Sequence, residues 1–264
     1  MEGGSRRVTS YDPTSDRGHH LAILVGQGVV AWVAHDLRTS APGALAWGAD
    51  MAILEHATLP KHPRSVSFVS LPEWSTLVPD GALYPGDEEQ HLALVHGKLP
   101  TGQVRDEPVR TLGASCIYVH EELAERQVLE RFPNARALPL QAVLVQSAQQ
   151  RSNGRPLVLV HRGADRVDIA IAHDQELLLS NSYPARTPED LLYFCLLAME
   201  RCGCSPEDTL LHCGGTHLTG IERDLLQRYL PHMASANPFR WPGAALHEHA
   251  DRWLAAMDQL ACVS

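Results

Sequence analysis

Residues 209–229 read TLLHCGGTHLTGIERDLLQRY, and this stretch decides the fold that the sequence predicts. A short apolar strand runs into Gly214 and Gly215 and then directly into an amphipathic helix. Paired glycines at such a turn let backbone approach a ligand closely, and the helix N-terminus behind them attracts negative charge. The stretch therefore has the outline of a nucleotide site. A strand-to-helix turn also uses glycine wherever positive φ is required, so the pattern alone leaves both interpretations open.

The residues before this turn predict a mixed α/β unit. From residue 157 the chain reads LVLVHRGADRVDIAIAHDQELLLSNSY, which predicts three strands with a glycine-containing turn between the first two. The sequence TPED at residues 187–190 then supplies an N-cap, a proline and acidic residues for a helix that ends near Gly203. With a helix from about residue 221, the predicted order is β-β-β-α-β-α, and a last helix is predicted near residues 244–260.

The first half of the chain opens in the same way. Residues 20–36 read HLAILVGQGVVAWVAHD, which predicts two apolar strands around a glycine turn. Further strands are predicted near residues 51–54, 65–69, 92–96 and 116–120, followed by a helix at 121–131. Two halves that open with strand, glycine turn and strand indicate an internal duplication of mixed α/β units.

A polar stretch, SAQQRSNGRP at residues 147–156, has the composition of a connection between the two halves. The predicted organisation is a flexible N-terminal segment at residues 1–19, a first subdomain at 20–150 and a second subdomain at 151–264.

The bulk properties limit the classes of function. With 264 residues and 44% hydrophobic residues, the chain can bury a substantial core. Its net charge of −9 argues against a nucleic-acid partner, because such proteins cluster Lys and Arg against phosphates. The polar first twenty residues and the absence of a long apolar run predict a cytoplasmic protein without a secretory signal and without direct membrane insertion.

Six cysteines and scattered histidines raise the question of a metal site. Cys202, Cys204, His212 and Cys213 lie close in sequence, but their spacing is not a standard zinc pattern, and adjacent strand residues point to opposite faces. We therefore expect reduced, mostly buried thiols and no metal. The position of Cys213, at a strand end before a helix, is one that can lower a thiol pKa, but packing is the favoured interpretation. The HEH cluster at residues 247–249 is interpreted as a solvated helix surface.

The repeated strand, glycine turn and strand, with a strand-Gly-Gly-helix near the C-terminus, resembles the actin-like ATPase superfamily, which is built from two ribonuclease-H-like subdomains. Three stretches also resemble a bacterial family of unknown function with that fold: STLVPDGALYPGDEEQHLALVHG (75–97), LLLSNSYPARTPEDLLYFCLLAME (177–200) and LLHCGG (210–215). The resemblance covers nearly the whole chain from about residue 20. It implies an α/β protein with mixed β-sheets flanked by helices, and it says more about fold than about function.

The phosphate loops of the superfamily carry an Asp two residues before a glycine, in the pattern D-x-G. The first loop here is LVGQG at residues 24–28, so Leu24 stands at the carboxylate position. The second loop is HRGAD at residues 161–165, so His161 stands there. Mg²⁺ at phosphates needs oxygen ligands or ligand-bound waters, and an attacking water needs an acceptor. Leu24 can do neither, and His161 is a poor partner for Mg²⁺.

The resemblance implies three groups of nucleotide-contacting positions. These are Gly26 and Gly28 in the first loop, Gly163 and Ala164 in the second, and Gly214, Gly215 and Thr216 in the adenosine-facing turn. Asp165 and Asp168 are candidates to substitute for the missing acids. Arg162 and Arg166 could bind phosphate without a metal, but we interpret them as part of a solvated hairpin turn.

Two functions follow from these residues. The first is a catalytically inactive actin-like protein, a pseudo-ATPase, which binds an unidentified protein partner as a binding or scaffold module and needs no cofactor. The second is an ATP-binding phosphotransferase or ATPase with substituted acidic residues. The missing carboxylates favour the first function, and only the retained glycines favour the second. A scaffold of the kind found in pilus or secretion assemblies is a third possibility, for which the sequence names no partner.

Overall fold

The computed structural model describes residues 3–15, 18–236, 239, 241–242 and 250–263. Contacts divide the chain into two units, and each is described by itself. Unit 1 takes its residues from 1–142, 239–245 and 259–264, and unit 2 from 143–238 and 246–258. The predicted subdomain boundaries at 20–150 and 151–264 stay predictions.

Unit 1 contains most of the strands. In chain order its elements are β1 (Gly4–Arg7), β2 (His19–Gly26), β3 (Val29–Asp36), β4 (Pro42–Gly48), β5 (Ser65–Ser70), β6 (Glu73–Pro79), α1 (Glu88–His96), β7 (Arg105–Val109), β8 (Ala114–His120), α2 (Glu122–Arg131) and β9 (Arg136–Ala137). The next helix, α3 (Leu140–Arg151), begins among unit 1 residues and ends among unit 2 residues.

The main sheet of unit 1 has the strand order β1-β4-β3-β2-β5-β9. Strands β2, β3 and β4 are antiparallel neighbours, while β5 runs parallel to β2 and β9 parallel to β5. The central strands are buried along almost their whole length, which is why they read as continuous apolar runs. On one face Ile23, Trp32 and Phe68 pack in a cluster with Val128 of α2.

Residues between β5 and α2 form a second, smaller sheet. Its antiparallel order is β6-β8-β7. Helix α1 lies against it, because Leu92 is fully buried in a cluster with Val78, Ile117 and Val119. This small sheet has no counterpart among the described elements of unit 2.

Unit 2 repeats the order of the main sheet. Its elements are β10 (Leu157–Arg162), β11 (Arg166–His173), β12 (Glu176–Pro184), α4 (Pro188–Arg201), β13 (Leu210–Gly214), α5 (Gly220–Tyr229), β14 (Met233–Ala234) and the one-turn helix α6 (Leu254–Met257). The sheet order is β12-β11-β10-β13-β14, with β13 parallel to β10. This matches β4-β3-β2-β5-β9 strand for strand and agrees with the duplication and with the predicted β-β-β-α-β-α order.

The two units differ in the connection that leads into β5 in unit 1 and into β13 in unit 2. In unit 2, α4 joins β12 to β13 and packs on β11 and α5. In unit 1, the corresponding connection from β4 to β5 holds a 3₁₀ helix, Met51–Glu55, and the irregular residues 56–64.

Several local predictions were wrong. Residues 51–54 and 92–96 lie in a 3₁₀ helix and in α1 instead of in strands, because a short apolar run does not distinguish strand from helix and the acids at Asp87, Glu88 and Glu89 favour a helix start. The predicted connection at 147–156 is half helical, since α3 continues to Arg151 and buries Ser147 and Gln149.

The last predicted helix, near residues 244–260, is helical where it is described, but it is divided into three short segments. Its described part consists of a 3₁₀ helix, Ala250–Trp253, then α6 and a second 3₁₀ helix, Gln259–Cys262. Residues 244–249, with the predicted surface cluster at 247–249, lie outside the described residues. The predicted N-terminal segment contributes β1, which pairs with β4.

Candidate functional site

The first loop is the tight turn of the β2–β3 hairpin. Gly26 pairs with Val29, and residues 27–28 form the turn between them. Gly28 has φ +69°, while a Cβ there would meet nothing within 4 Å. The turn therefore requires glycine for its backbone conformation, which L residues rarely adopt, and not for close packing.

Leu24, at the carboxylate position of this loop, is a core residue. It is 1% exposed and sits in the middle of the paired strand, opposite Ala31 of β3 and Val69 of β5. A leucine offers no oxygen to a metal-bound water, so this loop supplies no acid.

The second loop joins β10 to β11 and folds around its own arginine. The guanidinium of Arg162 donates from Nη1 to the carbonyl oxygens of Gly163, Ala164 and Arg166, at 2.7, 3.3 and 3.2 Å. Gly163 closes the loop by donating its N–H to the Arg166 carbonyl at 3.0 Å. Three carbonyls of this loop are therefore turned toward a cation that the chain itself supplies, whereas a phosphate would need N–H groups in their place.

Arg162 is further held by a buried acid from α5. Its Nε donates to Oε1 of Glu222 at 2.8 Å, and the two side chains are 5% and 3% exposed. The other carboxylate oxygen, Oε2, accepts from the backbone N–H and the hydroxyl of Thr219, forming the capping box of α5. The predicted solvated turn is wrong for Arg162, because the acid that caps the helix also neutralises the buried guanidinium.

His161, Asp168 and Ser182 form a polar row across three adjacent strands. They are direct partners in the sheet register, and Gly214 of β13 lies next to His161 on the other side. Ser182 Oγ donates to Asp168 Oδ1 at 2.6 Å, and the Arg166 guanidinium bonds the same oxygen through Nε at 2.9 Å. His161 Nδ1 lies 3.6 Å from Asp168 Oδ2.

Asp168 is ionised in this row. Burial opposes its charge, but the Arg166 guanidinium and His161 outweigh burial and lower its pKa to about 2. Asp168 is one of the two candidates to substitute for the missing phosphate-loop acids, and its carboxylate is already bound by Arg166 and Ser182. Asp165 lies in the bend of the loop, where its carbonyl accepts from Ala185 N–H at 2.9 Å.

The glycine pair after β13 is packed against the protein's own backbone. A Cβ on Gly215, which has φ +117°, would lie 2.4 Å from the Arg162 carbonyl oxygen and 2.6 Å from its nitrogen. A Cβ on Gly214 would lie 2.4 Å from the carbonyl oxygen of Asp251. The same oxygen accepts the Gly215 N–H at 2.9 Å. Both glycines are required by internal backbone contacts, and Gly215 also has the positive φ that was the alternative to ligand contact in the sequence.

Thr216 and its neighbour complete this turn. Thr216 is 8% exposed, and its hydroxyl is 3.0 Å from Nδ1 of His217. The N–H of His217 approaches the Arg162 carbonyl at 3.4 Å. The structure thus brings Gly163, Ala164, Gly214, Gly215 and Thr216 together around Arg162 in unit 2, while Gly26 and Gly28 belong to the hairpin of unit 1.

The cysteines are free thiols, and Cys213 is part of the core. Cys213 is fully buried in a cluster with Cys195 and Leu211, and burial raises its pKa well above the usual range. A thiol of raised pKa is a poor nucleophile, so the packing interpretation is the better one. Within the described part of the chain, no three His, Cys, Asp or Glu side chains group as metal ligands would.

Sequence reasoning missed the pairing of Arg162 with Glu222. The available signal was the sequence TGIE at residues 219–222, which has the spacing of a capping box and marks Glu222 as a buried helix-start acid. That this acid lies beside β10 depends on the parallel pairing of β10 with β13, which spacing alone does not reveal.

The model of one protein family matches residues 53–233, and its description is protein of unknown function (DUF3822). This chain belongs to that family. The match covers β5 and β9 of the main sheet of unit 1, the whole of its small sheet and nearly all of the unit 2 sheet, so the DUF3822 assignment rests on these elements. The comparison with curated proteins gives no match.

Solved structures agree on the fold. A Bacteroides thetaiotaomicron protein with an actin-like ATPase fold and unknown function is 18% identical, covers 84% of this chain and 92% of its own, and has a TM-score of 0.70. A protein of the PilM–PilN type IV pilus biogenesis complex is 15% identical, covers 93% and 98%, and has a TM-score of 0.58. The DUF3822 chain therefore has the actin-like ATPase fold, which confirms the predicted resemblance and fold class.

Over the residues that the structure describes, no helix combines the length and the apolar character needed to span a bilayer.

Proposed function

We propose that this DUF3822 protein is an actin-like protein that does not hydrolyse ATP and that acts by binding a protein partner. The observation that carries the proposal is the Arg162 guanidinium, which occupies the second phosphate loop and binds three of its carbonyl oxygens. A loop that is already satisfied by an internal cation gains little from a nucleotide phosphate, and the Glu222 carboxylate beside it repels one.

The replaced acids support the same proposal. Phosphoryl transfer depends on positioned metal ions and on an acceptor for the attacking group. Leu24 is in the core, and His161 faces the Asp168 carboxylate, which Arg166 and Ser182 already hold. None of these side chains is placed to take over either role.

Partner binding is the part of the proposal that the fold neighbours suggest. The PilM–PilN structure, with the same fold, is described as a type IV pilus biogenesis complex. We propose that the present chain likewise works as a binding or scaffold module in the cytoplasm, with its own partner.

Hydrolysis can be tested directly by measuring phosphate release from ATP with Mg²⁺ by the purified chain, with an Arg162→Ala variant in parallel. We expect release from the native chain to equal that of the protein-free blank. Phosphate release by the native chain above that of the blank would overturn the proposal, and its loss in a variant that is still folded would identify Arg162 as a phosphate ligand.

A further inference from the structure

A cavity of about 850 Å³ lies in unit 1. One wall is formed by residues 54–66, the connection that leads into β5, and the other by residues 131–136, which lead into β9. The cavity therefore sits at the amino ends of these two parallel strands. Gly26 is at the carboxyl end of β2, which runs parallel to β5. It therefore lies at the opposite end of the strands from the cavity.

The connection that lines the cavity differs from its counterpart in unit 2. Helix α4 fills the connection before β13, whereas the connection before β5 has one short 3₁₀ helix and an irregular loop. The loop is nevertheless fixed. Tyr11 Oη donates to the Thr58 carbonyl at 2.7 Å, and the Lys61 and Arg64 N–H groups donate to carbonyls of Pro13 and His19, each at 2.9 Å.

The charge of this cavity is opposite to that of the chain. Among the described residues that line it, the cations are Lys61, Arg64, Arg131 and Arg136 and the carboxylate is Glu55, on a chain of net charge −9. Arg131 pairs with Glu55 at 3.5 Å, and Arg136 pairs with Glu107. Lys61 and Arg64 are exposed and form no ion pair with any residue that the structure describes.

Part of the lining, called the floor of the cavity, is apolar. Leu54 and Leu59 belong to the buried cluster of the main sheet, and Phe132 packs against that cluster from the other wall. Prolines at 60, 63 and 133 stiffen both walls. An apolar floor between exposed cations suits a ligand that carries both acidic and apolar groups.

We propose that this cavity docks an acidic segment of the partner protein, with its carboxylates against Lys61 and Arg64 and an apolar side chain between Leu59 and Phe132. The proposal rests on the protein-binding function and names the chemistry of the partner. A polypeptide is favoured over a small anion because the lining combines spaced cations with an apolar floor, and one acidic peptide with an apolar residue meets both.

The test is selection from a displayed library of random twelve-residue peptides on the purified chain, followed by affinity measurement of the enriched sequences. We expect enriched peptides with an excess of Asp and Glu over Lys and Arg and with an apolar residue. Their affinity should fall about tenfold or more in the double variant Lys61→Ala, Arg64→Ala, and should fall with added salt. The matched control is Lys98→Ala, Arg201→Ala, which removes two exposed cations outside the cavity and should change nothing.

The other outcomes each have a distinct meaning. Peptides that bind the native chain and the cavity variant equally would overturn the docking site and leave the protein-binding function intact. An enriched set without acidic excess, or no enrichment, would also overturn the docking site. If citrate or tripolyphosphate binds the cavity as tightly as the peptides do, the site is one for small anions and the proposal is wrong. The other part of the proposed function, the absence of ATP hydrolysis, is tested separately by phosphate release.

Discussion

At the scale of single residues, the backbone of Arg162 explains why residue 215 is a glycine. The glycine lacks a side chain because the Arg162 backbone occupies that space, and the arginine side chain turns away to fill the second loop. The sequence predicts the glycine turn from its strand-Gly-Gly-helix pattern. It does not predict what faces the glycines, because the facing residue lies 53 positions earlier in the chain, at Arg162.

Replacement of Gly215 by Ala should be costly. The new Cβ would meet backbone atoms that cannot move aside, and the residue would keep a φ of +117°. We expect a loss of about 3–5 kcal/mol in the free energy of unfolding, from overpacking and backbone strain together. Urea denaturation measures this loss. The matched control is Gly28→Ala, which has a positive φ but open space around the Cβ and should lose about 1 kcal/mol. Equal losses in the two variants would contradict the packing argument.

The Arg162–Glu222 pair should behave as one energetic unit. Removing either partner leaves a buried charge uncompensated, so Arg162→Met alone should cost about 3–5 kcal/mol of stability. The double variant Arg162→Met, Glu222→Gln removes both charges. A double-mutant cycle from urea denaturation should give a coupling energy of about 1–3 kcal/mol. Additive effects within about 0.5 kcal/mol would show that the two side chains act independently.

At the scale of elements, hairpins were predicted well and short apolar segments poorly. The β2–β3 and β10–β11 hairpins follow from apolar runs interrupted by a glycine turn. Helix α1 was missed because Leu92 is its one buried position, so the segment has no strong helical period. The sequence of the connection before β5 did not predict a cavity, because the cavity walls come from two stretches about 70 residues apart, at Arg64 and Arg136.

The pairing of β2 with β5 is reinforced by a buried histidine that should make stability pH-dependent. His20 bonds Ser65 Oγ at 2.8 Å and Ser67 Oγ at 2.9 Å, and Ser67 in turn donates to Gln259 at 2.7 Å. Burial, followed by the neighbouring His35, lowers the pKa of His20 from 6.5 to about 4. The folded protein therefore holds the His20 ring in its neutral form.

The sign of the effect follows from proton uptake. Between pH 6.5 and about 4 the unfolded chain binds a proton at His20 and the folded chain does not, so the free energy of unfolding falls as the pH falls. The largest loss is about 3 kcal/mol. Denaturation at several pH values gives the free energy of unfolding as a function of pH. The slope of this dependence should be smaller in His20→Gln than in the native chain, by the equivalent of about one proton. The exposed His62→Gln variant serves as the control, and an unchanged slope in His20→Gln would refute the assignment.

At the scale of the whole molecule, the repeated strand order carries the fold. In unit 1, β2 lies between the antiparallel β3 and the parallel β5, and in unit 2, β10 lies between the antiparallel β11 and the parallel β13. This repeat is the duplication that the sequence indicated. Function does not follow from this order, because one fold serves many activities. The features of this chain that bear on function are local: the filled second loop in unit 2 and the cationic cavity in unit 1.

The most direct test of the central claim, that an internal arginine has replaced nucleotide in this fold, is thermal unfolding of the purified chain with and without millimolar ATP or ADP and Mg²⁺. A ligand at about a hundred times its dissociation constant stabilises a protein by about 2.7 kcal/mol, which raises the melting temperature by a few degrees. We predict no shift with either nucleotide. A rise of several degrees with ATP and ADP, absent with tripolyphosphate, would show that a nucleotide still binds and would contradict the account.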